Sequence, residues 1–244
     1  MRPTVFLFDI DGTLISTGGA GRRSMESAFS RLFGARGTAA IEFSFAGMTD
    51  RAIVRAGLRA LDGPAIDHDL PAIERVLDAY LERLADEVRR AETYTVHPGV
   101  KSILGWLPGM ASTAIGLGTG NVKRGAYAKL ARGELHEAFP FGGFGCDAED
   151  RAELLRVGAQ RGADALGAPL AECRVVVIGD TPKDVSAAHG IGAECIGVGT
   201  GGFDPKALRE LGAHYAFDTL AHDGVRDALL VEAVSASTSG PSLP

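Results

Sequence analysis

From residue 97 to residue 217, short apolar runs alternate with amphipathic stretches, and this alternation constrains the fold more than any other feature of the chain. "ASTAIGLGTGN", "CRVVVIGDTPKD" and "HGIGAECIGVGTG" read as strands that end in glycine-rich or polar loops. "FGGFGC" and "AHYAF" read as weaker ones. Between them, "VKSILGWL", "AYAKLARGEL", "AEDRAELLRVGAQRGADAL" and the stretch from Pro205 to about Leu211 carry helical spacing. Strand–helix–strand order of this kind implies right-handed crossovers and a parallel sheet buried on both faces. "TVFLF", residues 4 to 8, supplies a further strand that joins the same sheet.

Residues 16 to 95 read differently. Ser24 to about Leu32, Arg51 to Leu61 and Pro71 to Arg90 are helical, with no convincing buried strand among them. Leu70, Ile73, Val76, Leu77, Tyr80, Leu81, Leu84 and Val88 fit one face of a 3.6-residue period. The simplest organisation is a core of residues 1–15 and 96–232, a helical insert at 16–95 after the first strand, and a small, polar tail at 233–244.

Composition narrows the partners. The net charge is −6 and no basic run stands out, which argues against nucleic acid. No apolar run approaches the roughly 18 to 20 residues of a spanning helix, and aspartates interrupt the N-terminal apolar stretch too early for a signal peptide. A cytoplasmic location is the expectation. Cys146, Cys173 and Cys195 are odd in number and unpaired in spacing, so buried free thiols are expected rather than a disulfide framework or zinc site.

Ligands of open parallel sheets bind beyond the carboxyl ends of the strands. Three expected strands run into polar residues there: the first into Asp9 and Asp11, the second into Thr119, Gly120 and Asn121, and "VVVIGDTPKD" into Asp180 and Asp184. Any single aspartate could be a turn or helix cap. Together they form an acidic cluster that a hard, oxygen-seeking cation such as Mg²⁺ would neutralise.

"FDIDGTLI", "GLGTGN" and "VVVIGDTPKD", in this order and at strand ends, resemble three motifs of the haloacid dehalogenase superfamily, most closely its phosphoglycolate phosphatase-like branch. The resemblance spans 5–15, 97–121 and 141–200, and the helical stretch 16–95 falls where that branch carries its cap. It implies an α/β, Rossmann-like core with helices on both faces of the sheet, a helical cap, and a Mg²⁺-dependent phosphatase acting on a small phosphorylated metabolite. By the same resemblance Asp9 is the nucleophile that forms an aspartyl-phosphate. Asp11 protonates the leaving oxygen and then activates water. Asp9, the backbone carbonyl of Asp11, and Asp180 hold Mg²⁺, with Asp184 orienting the metal's waters. Thr119 hydrogen-bonds the phosphoryl group, aided by the backbone at Gly120 and Asn121.

The family usually carries a lysine before its last motif, and here no lysine lies between Lys129 and Lys183. Arg151, opening the helix of "CDAEDRAELL", is the substitute expected to neutralise phosphate and nucleophile. Lys183 is its rival. A surface pairing with Glu149 or Asp150 is the plainer role for Arg151. Arg22, Arg23 and Arg51 of the insert could meet a substrate carboxylate or second phosphate, although solvated helix faces suit each of them as well. Thr49 or Asp50 suits an N-cap. His97, His136 and His189 show no metal spacing, and Trp106 suits the core. A phosphomutase would share Asp9, Asp11 and Mg²⁺. A carbon–halogen hydrolase has no use for Asp11 and Asp180, and a Schiff-base phosphonate hydrolase needs a cap lysine, which 16–95 lacks. A non-catalytic binding protein on the same fold is the alternative from a different class.

Overall fold

A computed structural model describes residues 2–63 and 69–231; the expected tail at 233–244 lies outside them. β1 (Thr4–Phe8), β4 (Thr113–Thr119), β5 (Phe141–Phe144), β6 (Arg174–Gly179), β7 (Glu194–Val198) and β8 (Tyr215–Phe217) form one sheet in the order β5-β4-β1-β6-β7-β8. All neighbouring pairs are parallel. This is the α/β architecture anticipated from the alternation. β1 lies inside the sheet and is buried along its whole length, which is why its sequence is a continuous apolar run rather than an alternating one. Phe6 and Phe8 point to the face covered by α4 (Val100–Trp106), α5 (Lys123–Ala131) and α9 (Gly224–Leu230). Val5 and Leu7 point to the other, under α6 (Arg151–Leu166), α7 (Pro182–Gly190) and α8 (Pro205–Glu210).

β5 is weak in sequence because α6 presses its backbone onto the strand. A Cβ at Gly143 would lie 1.8 Å from the carbonyl oxygen of Leu154. Like α7, helix α9 was not foreseen. Its seven residues make barely two turns, and Val225, Ala228 and Leu229 are buried in the cluster that covers the α4–α5 face of the sheet. Cys173 and Cys195 are buried, whereas Cys146 is exposed in the loop after β5, contrary to expectation. Trp106 is only partly buried, with the Arg226 guanidinium 5.3 Å above its ring. No helix among the described residues is long and apolar enough to cross a membrane.

Between the short antiparallel strands β2 (Ile15–Ser16) and β3 (Thr95–Val96) lie α1 (Ala20–Ala39), α2 (Asp50–Asp62) and α3 (Leu70–Arg90). The chain thus leaves and re-enters the sheet layer at one place. α1 breaks at Gly34, where the backbone leaves helical geometry. The three helices share an apolar core that includes Met25, Phe29, Val54, Leu58, Ile73 and Tyr80. Leu70, counted on the apolar stripe of α3, is 54% exposed in its first turn; the stripe begins at Ile73. Among the contacts that tie this layer to the sheet layer, Asp50 N–H donates to the Gly120 carbonyl at 2.8 Å, and Arg55 pairs with Glu149 at 2.6 Å.

Candidate active site

The parallel register brings the ends of β1, β4 and β6 level: Phe8 is paired with both Leu117 and Ile178. The residues at or just beyond these ends, Asp9, Thr119 and Asp180, are therefore neighbours, all buried. Gly12 turns the chain with φ +88°, and a Cβ there would lie 2.4 Å from Asp180 Oδ2, so the turn needs glycine on both counts. Thr13 then donates to Asp180 Oδ1 at 2.9 Å. At the start of α7, Thr181 and Asp184 form a capping box that fixes the Asp184 carboxylate.

Asp9, Asp180 and Asp184 each offer a carboxylate oxygen, and these oxygens lie within 4.8 Å of one another. Burial and the neighbouring carboxylates hold Asp9 and Asp180 well above the ordinary carboxylate range, with Arg151 opposing the shift in both. All donors in the cluster are hard oxygens, and their strained charge is what a divalent cation would relieve. The residues fit such an ion. Asp184 is the least available as a direct ligand. Its Oδ2 accepts from the Thr181 N–H and hydroxyl, and its Oδ1 accepts from Arg151 Nε at 2.8 Å.

Arg151 opens α6 behind the N-cap Asp150 and turns inward, with Nη2 3.1 Å from Asp9 Oδ1. Its charge is thus shared between Asp9 and Asp184, while Glu149 goes to Arg55. Lys183 is exposed, with its stem against Gly47 and its amine not among the groups lining the cavity. Of the two candidates for the compensating charge, only Arg151 touches Asp9.

Thr119 Oγ1 accepts from the backbone N–H and from Nδ2 of Asn121, at 3.3 and 2.9 Å, which leaves its hydroxyl proton free to donate. The Asn121 side chain braces its neighbours: its Nδ2 also donates to Asp11 Oδ2 at 2.9 Å and its Oδ1 accepts from Lys129 Nζ at 2.6 Å. Asp11 is turned away from the three clustered carboxylates. Its Oδ2 accepts from Lys129 Nζ at 2.6 Å.

These groups line a cavity of about 490 Å³ between the sheet layer and α1–α3. Asp9, Asp11, Asp50 and Asp180 face Arg22, Lys129 and Arg151 across it, so an anionic ligand meets no excess of positive charge from the protein alone. Arg22 packs over the Phe45 ring at 4.1 Å and also contacts Glu26 and the Phe43 carbonyl. Arg23 and Arg51 are taken by Glu87 and Glu74. Thr49 caps α2, accepting from the Ala52 N–H at 3.2 Å, and Asp50 accepts from the Val122 N–H at 2.9 Å. His97 lines the cavity, with Nε2 buried and unpartnered among the described residues; burial lowers its pKa.

Lys129, Asp50, His97 and Thr200, whose hydroxyl donates to the Gly12 carbonyl at 2.5 Å, were not read as site residues from sequence. For Lys129 a signal existed. It is the one charge on the buried stripe Gly125, Ala126, Lys129, Leu130 of α5. Although its amine reaches the cavity, Asp11 and Asp50 hold it protonated, so it is no candidate for imine chemistry.

No curated protein sequence matches this chain. Among solved structures, it is similar to a hydrolase from Pseudomonas syringae (TM-score 0.65, 21% identity, 94% of this chain and 99% of that one). It is also similar to CbbY from Rhodobacter sphaeroides in complex with phosphate (0.65, 20%, 91% and 96%). A third similar structure is a predicted phosphoglycolate phosphatase from Haemophilus somnus (0.64, 14%, 93% and 98%). These likenesses establish the fold. The sequence model of the haloacid dehalogenase-like hydrolases matches residues 3–192. With that match over most of its length, and with the site at the strand ends, the chain belongs to the haloacid dehalogenase-like hydrolases.

Proposed function

We propose that the protein is a Mg²⁺-dependent phosphatase that hydrolyses a small phosphomonoester through an aspartyl-phosphate on Asp9. The observation that carries this reading is the placement of Asp9 at the cavity floor, between Arg151 and the Asp180–Asp184 pair, with a second carboxylate, Asp11, held apart from it. One carboxylate is placed to attack and another to move a proton, which is the division a two-step displacement requires. Asp9 attacks phosphorus, the ester P–O bond breaks, and the leaving oxygen takes a proton from Asp11. Water then attacks the aspartyl-phosphate and gives a proton to Asp11. The Asp9–phosphorus bond breaks, restoring the Asp9 carboxylate and releasing inorganic phosphate.

Thr119 donates its free hydroxyl proton to the phosphoryl group, and Arg151 offsets charge on Asp9 and on phosphate oxygens. Asp9, Asp180 and the backbone carbonyl of Asp11 would hold Mg²⁺, with Asp184 steadied as an orienting group. The ion, when bound, supplies positive charge to the phosphoryl oxygens. Helices α1–α3 act as a cap that shuts out bulk water and reads the rest of the substrate. Phosphoglycolate is the first substrate to try, on the resemblance of the motifs and on the Haemophilus somnus neighbour.

Hydrolysis of p-nitrophenyl phosphate with Mg²⁺, with excess EDTA, and by Asp9→Asn tests the reading. Phosphate release that needs Mg²⁺ and falls by at least about 10³-fold in the variant is expected. Activity that survives Asp9→Asn would overturn it. Conversion of a sugar phosphate to its isomer without net phosphate release would replace it with a phosphomutase.

A further inference from the structure

Lys129 is buried at 5% exposure, yet it stands between the layers rather than inside either. Its amine donates to Asp11 Oδ2 and Asn121 Oδ1, both at 2.6 Å, and Asn121 Nδ2 donates to the same Asp11 oxygen at 2.9 Å. Among the described residues, nothing hydrogen-bonds Asp11 Oδ1. Asp11 is otherwise loose, with a side chain 42% exposed to the cavity. A buried lysine is a costly way to add stability, since an apolar side chain of like size commonly serves as well. The network therefore calls for a role in arranging Asp11.

We propose that Lys129 is the positioning residue for Asp11, pinning Oδ2 so that Oδ1 is the oxygen presented to the leaving group. The proposal rests on the phosphatase reading. It also links that geometry to the helical layer. Asp50 at the start of α2 and Tyr80 on α3 line the same cavity as the Lys129 amine, and a Cβ at Gly21 on α1 would lie 3.2 Å from that amine. With these helices in place, water is kept from the ammonium, and in the lower dielectric its grip on Asp11 strengthens.

The consequence is a change in leaving-group dependence, not merely in rate. An acid in the right place spares the enzyme from expelling a basic oxyanion and contributes about 10²- to 10⁴-fold. p-Nitrophenolate leaves without a proton, whereas p-methoxyphenolate needs one. Single-turnover release of phenols from a series of substituted phenyl phosphates, with Mg²⁺, separates the two effects. Lys129→Met is expected to slow the p-nitrophenyl ester by less than about threefold and the p-methoxyphenyl ester by about 10²-fold or more. Lys129→Arg, which keeps the charge, is expected to restore much of the difference. Should the Met variant fail to fold, Lys129→Gln, which retains one donor for the buried acceptors, must show the steeper dependence. Equal loss across the series, or none, removes this proposal alone. A wild-type protein that releases no phenol from any ester removes the phosphatase reading and this proposal with it.

Discussion

At the residue scale, Asp50 shows how burial rather than pairing sets a carboxylate's behaviour. It is 6% exposed and accepts from the Val122 N–H. Burial raises its pKa from 3.8 to about 6, with Lys129 acting in the opposite sense. The folded state thus binds this proton more tightly than the unfolded chain. Between pH 4 and 6 the native protein loses stability as Asp50 ionises, and the loss is complete above the folded value. A shift of this size corresponds to about 3 kcal/mol. Asp50→Asn keeps an oxygen for Val122 and removes the ionisation. In denaturant unfolding, its stability relative to wild type is expected to rise by about that amount from pH 4 to 7. A constant offset from the partner lost by Lys129 does not alter the sign. Parallel pH profiles in the two proteins would show that Asp50 does not titrate as described.

At the scale of elements, β5 and α6 approach at backbone distance, and α6 in turn carries Arg151 to Asp9. Gly143→Ala would drive a methyl into the Leu154 carbonyl, which cannot move without the helix. A loss of about 3 kcal/mol or more in unfolding free energy is expected, at the upper end of overpacking costs. Catalysis should fall with it. Gly105→Ala in α4 is the matched control, since a Cβ there meets nothing within 4 Å and the residue is exposed. It should be neutral or stabilising by up to about 1 kcal/mol. The long helices and central strands were legible because burial on one stripe or on both faces leaves a period or an unbroken apolar run. α9 and the two-residue strands β2 and β3 were not, because elements so short owe their existence to neighbours rather than to a pattern of their own.

At the scale of the molecule, the acidic cluster joins ends of the chain that only the closed sheet brings together. A cation bound to Asp9 and Asp180 stabilises the folded state alone. At one hundred times its dissociation constant it should add about 2.7 kcal/mol, read as a rise in Tm with Mg²⁺ that EDTA reverses. Asp180→Asn should lose most of that rise while keeping the hydrogen bond from Thr13. An equal rise in both proteins would place the ion elsewhere. The cavity over this cluster is walled on one side by strand ends and on the other by α1–α3. Its shape therefore depends on how the two layers meet at Asp50–Gly120 and Arg55–Glu149.

Read alone, the sequence determined which strands share a sheet and that Asp9, Asp11, Thr119, Asp180 and Asp184 stand at their carboxyl ends. Those facts follow from local periodicity and from the geometry of parallel crossovers. Only the tertiary structure decided which groups these side chains face. Arg151 rather than Lys183 reaches Asp9, and Asn121 braces its neighbours. Lys129 meets Asp11 across 118 residues of chain. The reason is physical. Burial leaves a repeating mark on neighbouring residues. The partner of a buried charge is set by how whole layers pack, and leaves in the sequence at most a lone lysine on an apolar stripe.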